Sequence, residues 1–232
     1  MVLKAVFLDV GNTLVHERPS RFEIYADGAR RRGVVLETDA MQALMRAAHR
    51  ELPREIGGAF RYSERWFETY IERIFHTGLG LPREQLAPLY EEIFGRFADP
   101  ATFALHPGAI ELLESLRARG LKIGIVSNWS QRLPRLLVEL GVAERVDFVL
   151  CSALERVEKP EAAIFERALE RAGVAAAEAL HAGDDYEKDF LGARRAGMRA
   201  VLVDHAHNSR WGATPCIHRL IELDELVTMW HR

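Results

Sequence analysis

Val6-Phe7-Leu8 is a short unbroken apolar run, and Asp9 follows it directly. Such a run fits a strand covered on both faces, as in a parallel sheet. A carboxylate at the end of a buried strand is costly unless a charge or a hydrogen-bond donor meets it. Gly11 and Asn12 then turn the chain, and Thr13 offers a hydroxyl inside the turn. Two later stretches have the same form. Ile123-Gly124-Ile125-Val126 runs into Ser127-Asn128, and Ala179-Leu180-His181-Ala182-Gly183 runs into Asp184-Asp185, with Asp189 further on. In open α/β sheets, ligands bind outside the carboxyl ends of the strands, where strand order reverses. If the three strands are neighbours, Asp9, Ser127 and Asp184 meet in one crevice.

From His106 onward, strand and helix patterns alternate. Helices are expected over 108–119, 131–140, 161–172, 187–196 and 223–230, and strands over 122–126, 146–150, 179–182 and 200–203. Pro134 fits a helix only near its first turn. This alternation predicts parallel βαβ units with right-handed crossovers, an α/β fold. Between Val15 and Phe103 the rhythm differs. Phe22, Tyr25 and Ala26, then Met41, Leu44, Met45 and Ala48, recur at helical spacing. Trp66, Phe67, Tyr70, Ile71, Ile74 and Phe75 form a wider stripe, with Ser63 as N-cap and Gly78 as stop, and Leu86, Leu89, Tyr90, Ile93 and Phe94 form another. No strand is expected there, so the stretch reads as an all-helical insertion after the first strand.

A formal net charge of −3 carries no basic stripe of the kind nucleic acid requires, and Arg30-Arg31-Arg32 reads as a solvated helix end. Cys151 and Cys216 are the only cysteines; they make neither a disulfide framework nor a metal cluster, which points to a reducing cytoplasm. Asp9 interrupts the N-terminal apolar run, so neither a signal peptide nor a membrane span is expected.

Asp9 and Asp184 can share a divalent ion, and oxygen ligands without His or Cys favour Mg²⁺. Asp9 is then a candidate nucleophile for phosphoryl transfer. Ser127 and the turn amides can hold phosphoryl oxygens, and Lys159, just before Pro160 and a predicted helix, can neutralise charge. Asp189 is placed to orient metal-bound water.

These residues together resemble the haloacid dehalogenase-like hydrolase superfamily over nearly the whole chain. Asp9-Val10-Gly11-Asn12-Thr13 matches its first motif, Ser127-Asn128 the second, Lys159-Pro160 the third, and Gly183-Asp184-Asp185 with Asp189 the fourth. The resemblance implies a Rossmann-like, doubly wound parallel sheet over residues 1–15 and 104–232, and a helical C1-type cap over 16–103. It makes Asp9 the nucleophile, with Ser127 and Lys159 as catalytic partners and Asn12, Thr13 and Asn128 on the substrate side. Asp9, the Gly11 carbonyl, Asp184 and Asp189 would hold Mg²⁺. The implied partner is a small phosphorylated substrate, with no nucleic acid and no membrane, for a monomer or a dimer. Tyr25, Arg61 and Trp66 are candidate substrate-facing residues of the cap.

One position departs from the pattern. Phosphatases of the superfamily carry a second aspartate where this chain has Gly11. Loss of a general acid–base costs roughly 10²–10⁴-fold, so activity is expected on substrates with good leaving groups. Phosphonoacetaldehyde hydrolysis would need a cap lysine, and Lys4, Lys122, Lys159 and Lys188 all lie outside the insertion. A 2-haloacid dehalogenase and a non-catalytic scaffold are the other readings.

Overall fold

The computed structural model describes residues 2–207 and 214–231. The chain divides into two compact units, one of Met1–His16 with Leu105–Arg232, the other of Glu17–Ala104. Short strands Val15–Glu17 and Phe103–Leu105 carry the two crossings between them.

The first unit is built on a six-stranded sheet. Its spatial order is Cys216–Ile217, Arg199–Val203, Ala179–Gly183, Ala5–Leu8, Lys122–Ser127, Phe148–Cys151. All the pairings are parallel. Ala5–Leu8 is the switch point: the chain winds outward from it through Lys122–Ser127 and Phe148–Cys151, then returns to its other side at Ala179–Gly183. The register aligns Leu8 with Ile125 on one side and with Ala182 on the other. Asp9, Ser127 and Asp184 therefore leave adjacent strand ends together, which is the doubly wound geometry that makes a crevice. Every residue of Ala5–Leu8 is buried, and the helix Ala162–Ala172 lays Ile164, Phe165 and Ala168 against Phe7 and Val126 in one apolar cluster.

Element boundaries follow local chemistry. Leu133–Glu139 begins with Pro134 in its first turn, where a missing N–H is harmless. The expected helix over 187–196 is instead a wide π-type turn, Tyr186–Leu191, followed by Gly192–Arg195. The last helix starts earlier than expected, at Leu220. No helix among the described residues is long and apolar enough to cross a membrane.

The second unit is helical, with Arg21–Arg30, Thr38–Glu51, Glu64–Ile71 and Leu86–Ala98 as its main helices. One correction applies: Glu55–Ile56 and Ala59–Phe60 form a two-residue antiparallel hairpin. Gly57 and Gly58 both take positive φ, as the tight turn between such strands requires. A second correction concerns the proposed substrate contacts. Tyr25 and Trp66 are buried in this unit's own apolar core, beside Met41, Met45, Tyr70 and Phe75. The Trp66 indole N–H donates to the Pro53 carbonyl at 2.8 Å. The Arg61 guanidinium lies over the Trp66 ring at 5.7 Å and donates to the Leu52 carbonyl. Aromatic stripes at helical spacing bury most area when they face one another, and here they do. Ser63 occupies the N-cap position of Glu64–Ile71, but its hydroxyl makes no capping bond.

Candidate active site

Asp9 emerges from the switch-point strand into a turn closed by three N–H groups, those of Thr13, Leu14 and Val15, on the Val10 carbonyl. Asn12 takes φ 53°, a left-handed conformation that asparagine tolerates better than most residues. Asp9 Oδ1 accepts from the Ser127 hydroxyl at 2.8 Å and from Lys159 Nζ at 2.6 Å. Both donors converge on one oxygen, which leaves Oδ2 for chemistry. The buried carboxylate thus has the partners that its position demanded.

Lys159 is almost fully buried and bridges two acids, Asp9 and Asp189. Burial alone would lower the pKa of its ammonium. Asp189 first and Asp9 second outweigh that and hold it above the ordinary lysine range. Asn128 fixes the lysine from behind: its amide donates to the Lys159 carbonyl at 2.9 Å and accepts from the Lys159 N–H at 2.8 Å. The Asn128 side chain is therefore engaged with the main chain of Lys159 and positions it.

Asp189 is equally enclosed. Its Oδ1 accepts from Lys159 and from His181 Nε2, and its Oδ2 accepts from the Asp185 N–H at 3.0 Å. Burial opposes its ionisation, but the Lys159 charge and the His181 bond hold it below the usual carboxylate range. Gly183 makes this approach possible, since a Cβ there would lie 2.3 Å from Asp189 Cγ. His181 carries no motif signal in the sequence. It sits among buried apolar residues of its strand, and its partner is eight residues away on the next turn. A histidine inside an apolar run ending in Gly-Asp-Asp was the available signal.

Asp184 stands apart from this bonded set, accepting only a 3.3 Å bond from the Asn12 amide among the described residues. Burial and the charges of Asp9 and Asp189 push its pKa up to about 7, against the smaller opposing effects of Lys159 and Asn12. Carboxylate oxygens of Asp9, Asp184 and Asp189 lie within 4.8 Å of one another. Three acids face one buried lysine, so the site carries excess negative charge. The donor set is all oxygen, and the residues fit a hard divalent cation such as Mg²⁺. The Thr13 hydroxyl is buried without a hydrogen-bond partner among the described residues.

The raised Asp184 pKa has a stability consequence. Its carboxyl is ionised above about pH 4 in the unfolded chain but holds its proton to about pH 7 in the fold. The folded state binds the extra proton in that window, so stability falls as pH rises through it. The metal-free protein is therefore expected to have a lower Tm at about pH 8 than at about pH 5. Mg²⁺ should close the gap, and Asp184→Asn should flatten the metal-free profile. A metal-free Tm that rises over this range would contradict the assignment.

A family model described as haloacid dehalogenase-like hydrolase matches residues 3–197. The chain belongs to the haloacid dehalogenase-like hydrolases. It is 36% identical over 200 residues to the mouse haloacid dehalogenase-like hydrolase domain-containing protein 3, covering 84% of this chain and 79% of that protein. It is 32% identical over 225 residues to a phosphoserine phosphatase of Thermus thermophilus, covering 87% of this chain and 89% of the relative. Among solved structures, a HAD phosphatase from Thermococcus onnurineus superposes with a TM-score of 0.69 at 27% identity, covering 97% of this chain and 98% of its own. Membership in the haloacid dehalogenase-like hydrolases makes this chain a hydrolase.

Proposed function

We propose that the chain is a Mg²⁺-dependent phosphatase that cleaves a small phosphorylated metabolite through an aspartyl-phosphate on Asp9. The observation that carries this reading is the convergence of Asp9, Ser127, Lys159, Asp184 and Asp189 at adjacent strand ends. Asp9 Oδ2 attacks phosphorus, and the bond from phosphorus to the leaving oxygen breaks with its electron pair on that oxygen. The leaving oxygen takes a proton from solvent; water then attacks the phosphorus and gives up a proton to solvent as the bond to Asp9 breaks with its electron pair on the carboxylate, and inorganic phosphate leaves. Ser127 and Lys159 hold Asp9 in position and stabilise negative charge. Asn12 and Thr13 line the turn on the substrate side. Asp9, the Gly11 carbonyl and Asp184, backed by Asp189, would hold Mg²⁺, which neutralises phosphoryl charge when bound. The phosphoserine phosphatase relative supports a small phosphomonoester as substrate class. The helical unit is proposed as a C1-type cap. Both cysteines are free thiols, which suits a reducing cytoplasm.

The decisive assay measures phosphate release from a panel of alkyl, aryl and acyl phosphates with and without Mg²⁺, beside chloride release from a 2-haloacid. Metal-dependent phosphate release supports the proposal, and metal-independent chloride release would replace it. Gly11 favours a second reading, a non-catalytic scaffold. Absence of turnover together with absence of Mg²⁺ binding would establish that reading instead.

Gly11 also sets a prediction. With no acid beside the leaving oxygen, poor leaving groups should react slowly. Gly11→Asp restores a proton donor and is expected to raise kcat on alkyl phosphates by at least about 10-fold, with a smaller gain on aryl phosphates. An equal or lower rate, with Mg²⁺ affinity retained, would remove Gly11 as the limiting position.

A further inference from the structure

The far edge of the sheet holds a second group of metal-type ligands with a different chemistry. The edge strand Cys216–Ile217 pairs in parallel with Arg199–Val203, and the Asp204 N–H donates to the Ile217 carbonyl at 2.8 Å. This register sets Asp204 beside Cys216 and His218. Ile217 turns its side chain into the core, so alternation along the extended chain puts Cys216 and His218 together on the opposite face. An Asp204 carboxylate oxygen, the Cys216 sulfur and a ring nitrogen of His218 lie within 4.8 Å of one another, and all three residues are half-buried.

The surroundings orient these groups. His218 Nδ1 lies 2.8 Å from the Asp204 carbonyl. A carbonyl only accepts, so Nδ1 carries the proton and Nε2 keeps its lone pair. This is the backbone-tethered tautomer typical of ligating histidines. His205 Nδ1 in turn donates to the His218 carbonyl at 2.9 Å and steadies it. The His207 ring stacks on the His218 ring with centroids 4.0 Å apart, next to the same group. Two cysteines make no cysteine cluster, but one of them among histidines and an aspartate is a mixed site.

We infer that Asp204, Cys216 and His218 form a Zn²⁺ site, with a fourth position left to water. A thiolate, an imidazole and a carboxylate suit a borderline-soft tetrahedral ion, whereas the all-oxygen group at Asp9 suits Mg²⁺. The two sites therefore select different metals. Binding deprotonates the Cys216 thiol, and its proton passes to the buffer. The bound ion ties the edge strand to the residue after Arg199–Val203, so its role is to clip the sheet edge.

The test uses the full chain, stripped of metal and held in excess Mg²⁺, titrated with Co²⁺ and then Zn²⁺. One Co²⁺ per chain is expected to give thiolate-to-metal charge-transfer absorption in the near ultraviolet, which the Asp9 group has no sulfur to produce. Zn²⁺ should bleach the band and raise Tm. Cys216→Ser, nearly isosteric, should abolish both effects, while Cys151→Ser keeps them. His218→Ala should weaken Zn²⁺ binding by at least about 10-fold, the loss seen even for outer partners of a metal site. Absence of the band in the unaltered chain, or its survival in Cys216→Ser, would overturn the assignment.

Discussion

Asp9→Asn is expected to abolish phosphate release, by at least about 10⁴-fold in kcat, while leaving a folded protein. The amide cannot form the aspartyl-phosphate, and no other carboxylate in the site can take its place. Asp189 has both oxygens committed to Lys159, His181 and the Asp185 N–H. Asp184 holds its proton to about pH 7 without a metal. Stability should change far less than activity. Asparagine keeps an acceptor for Ser127 and Lys159, and it removes one of three acids crowded around a single ammonium. The checks are stopped-flow or end-point phosphate release, and mass spectrometry of a quenched reaction for the phosphorylated aspartate. Residual turnover within about 10-fold of the unaltered chain would show that Asp9 is not the nucleophile.

The parts of this site that the sequence revealed share one property. Asp9, Ser127 and Asp184 each follow an apolar run at the carboxyl end of a strand, and a polar group directly behind a buried run is a local signal. Their meeting depends on strand order. The order was conditional until the register of Ala5–Leu8 against both neighbours made the three ends adjacent. Lys159 and Asp189 were visible as charged residues at helix starts, but their pairing spans 30 residues and no local pattern reports it. His181 was hidden because a single polar residue in a buried strand looks like a lapse in the pattern. Tyr25 and Trp66 failed for the opposite reason. Helical spacing marks which face a residue lies on, and an aromatic stripe meets an apolar core far more often than a ligand. The Gly57-Gly58 hairpin is two residues per strand, too short for periodicity, although its paired glycines were a turn signal.

Lys159→Met should destabilise the fold strongly. Methionine fills similar volume, so the loss is electrostatic. Asp9 and Asp189 would remain buried with one shared counter-charge gone, and a broken buried ion pair costs about 3–5 kcal/mol. The neighbours cannot compensate. Ser127 already donates to Asp9, and His181 Nε2 already donates to Asp189. Urea unfolding of the metal-free protein near neutral pH should register the loss as a lower midpoint. Mg²⁺ should recover part of it, because a cation at Asp9 and Asp184 relieves the same excess negative charge. The acid side supplies an independent check. In the unaltered chain Lys159 and His181 hold Asp189 below its ordinary range, so its contribution is present above about pH 4 and is lost as pH falls through the depressed folded value. The gap between the two proteins should therefore narrow under acid conditions, where the carboxyls take up protons. Lys159→Arg should not restore the loss, because the bulkier planar guanidinium cannot take the place of a compact ammonium held between two carboxylates. A destabilisation below about 1 kcal/mol would mean that the buried lysine is not what holds the two acids together.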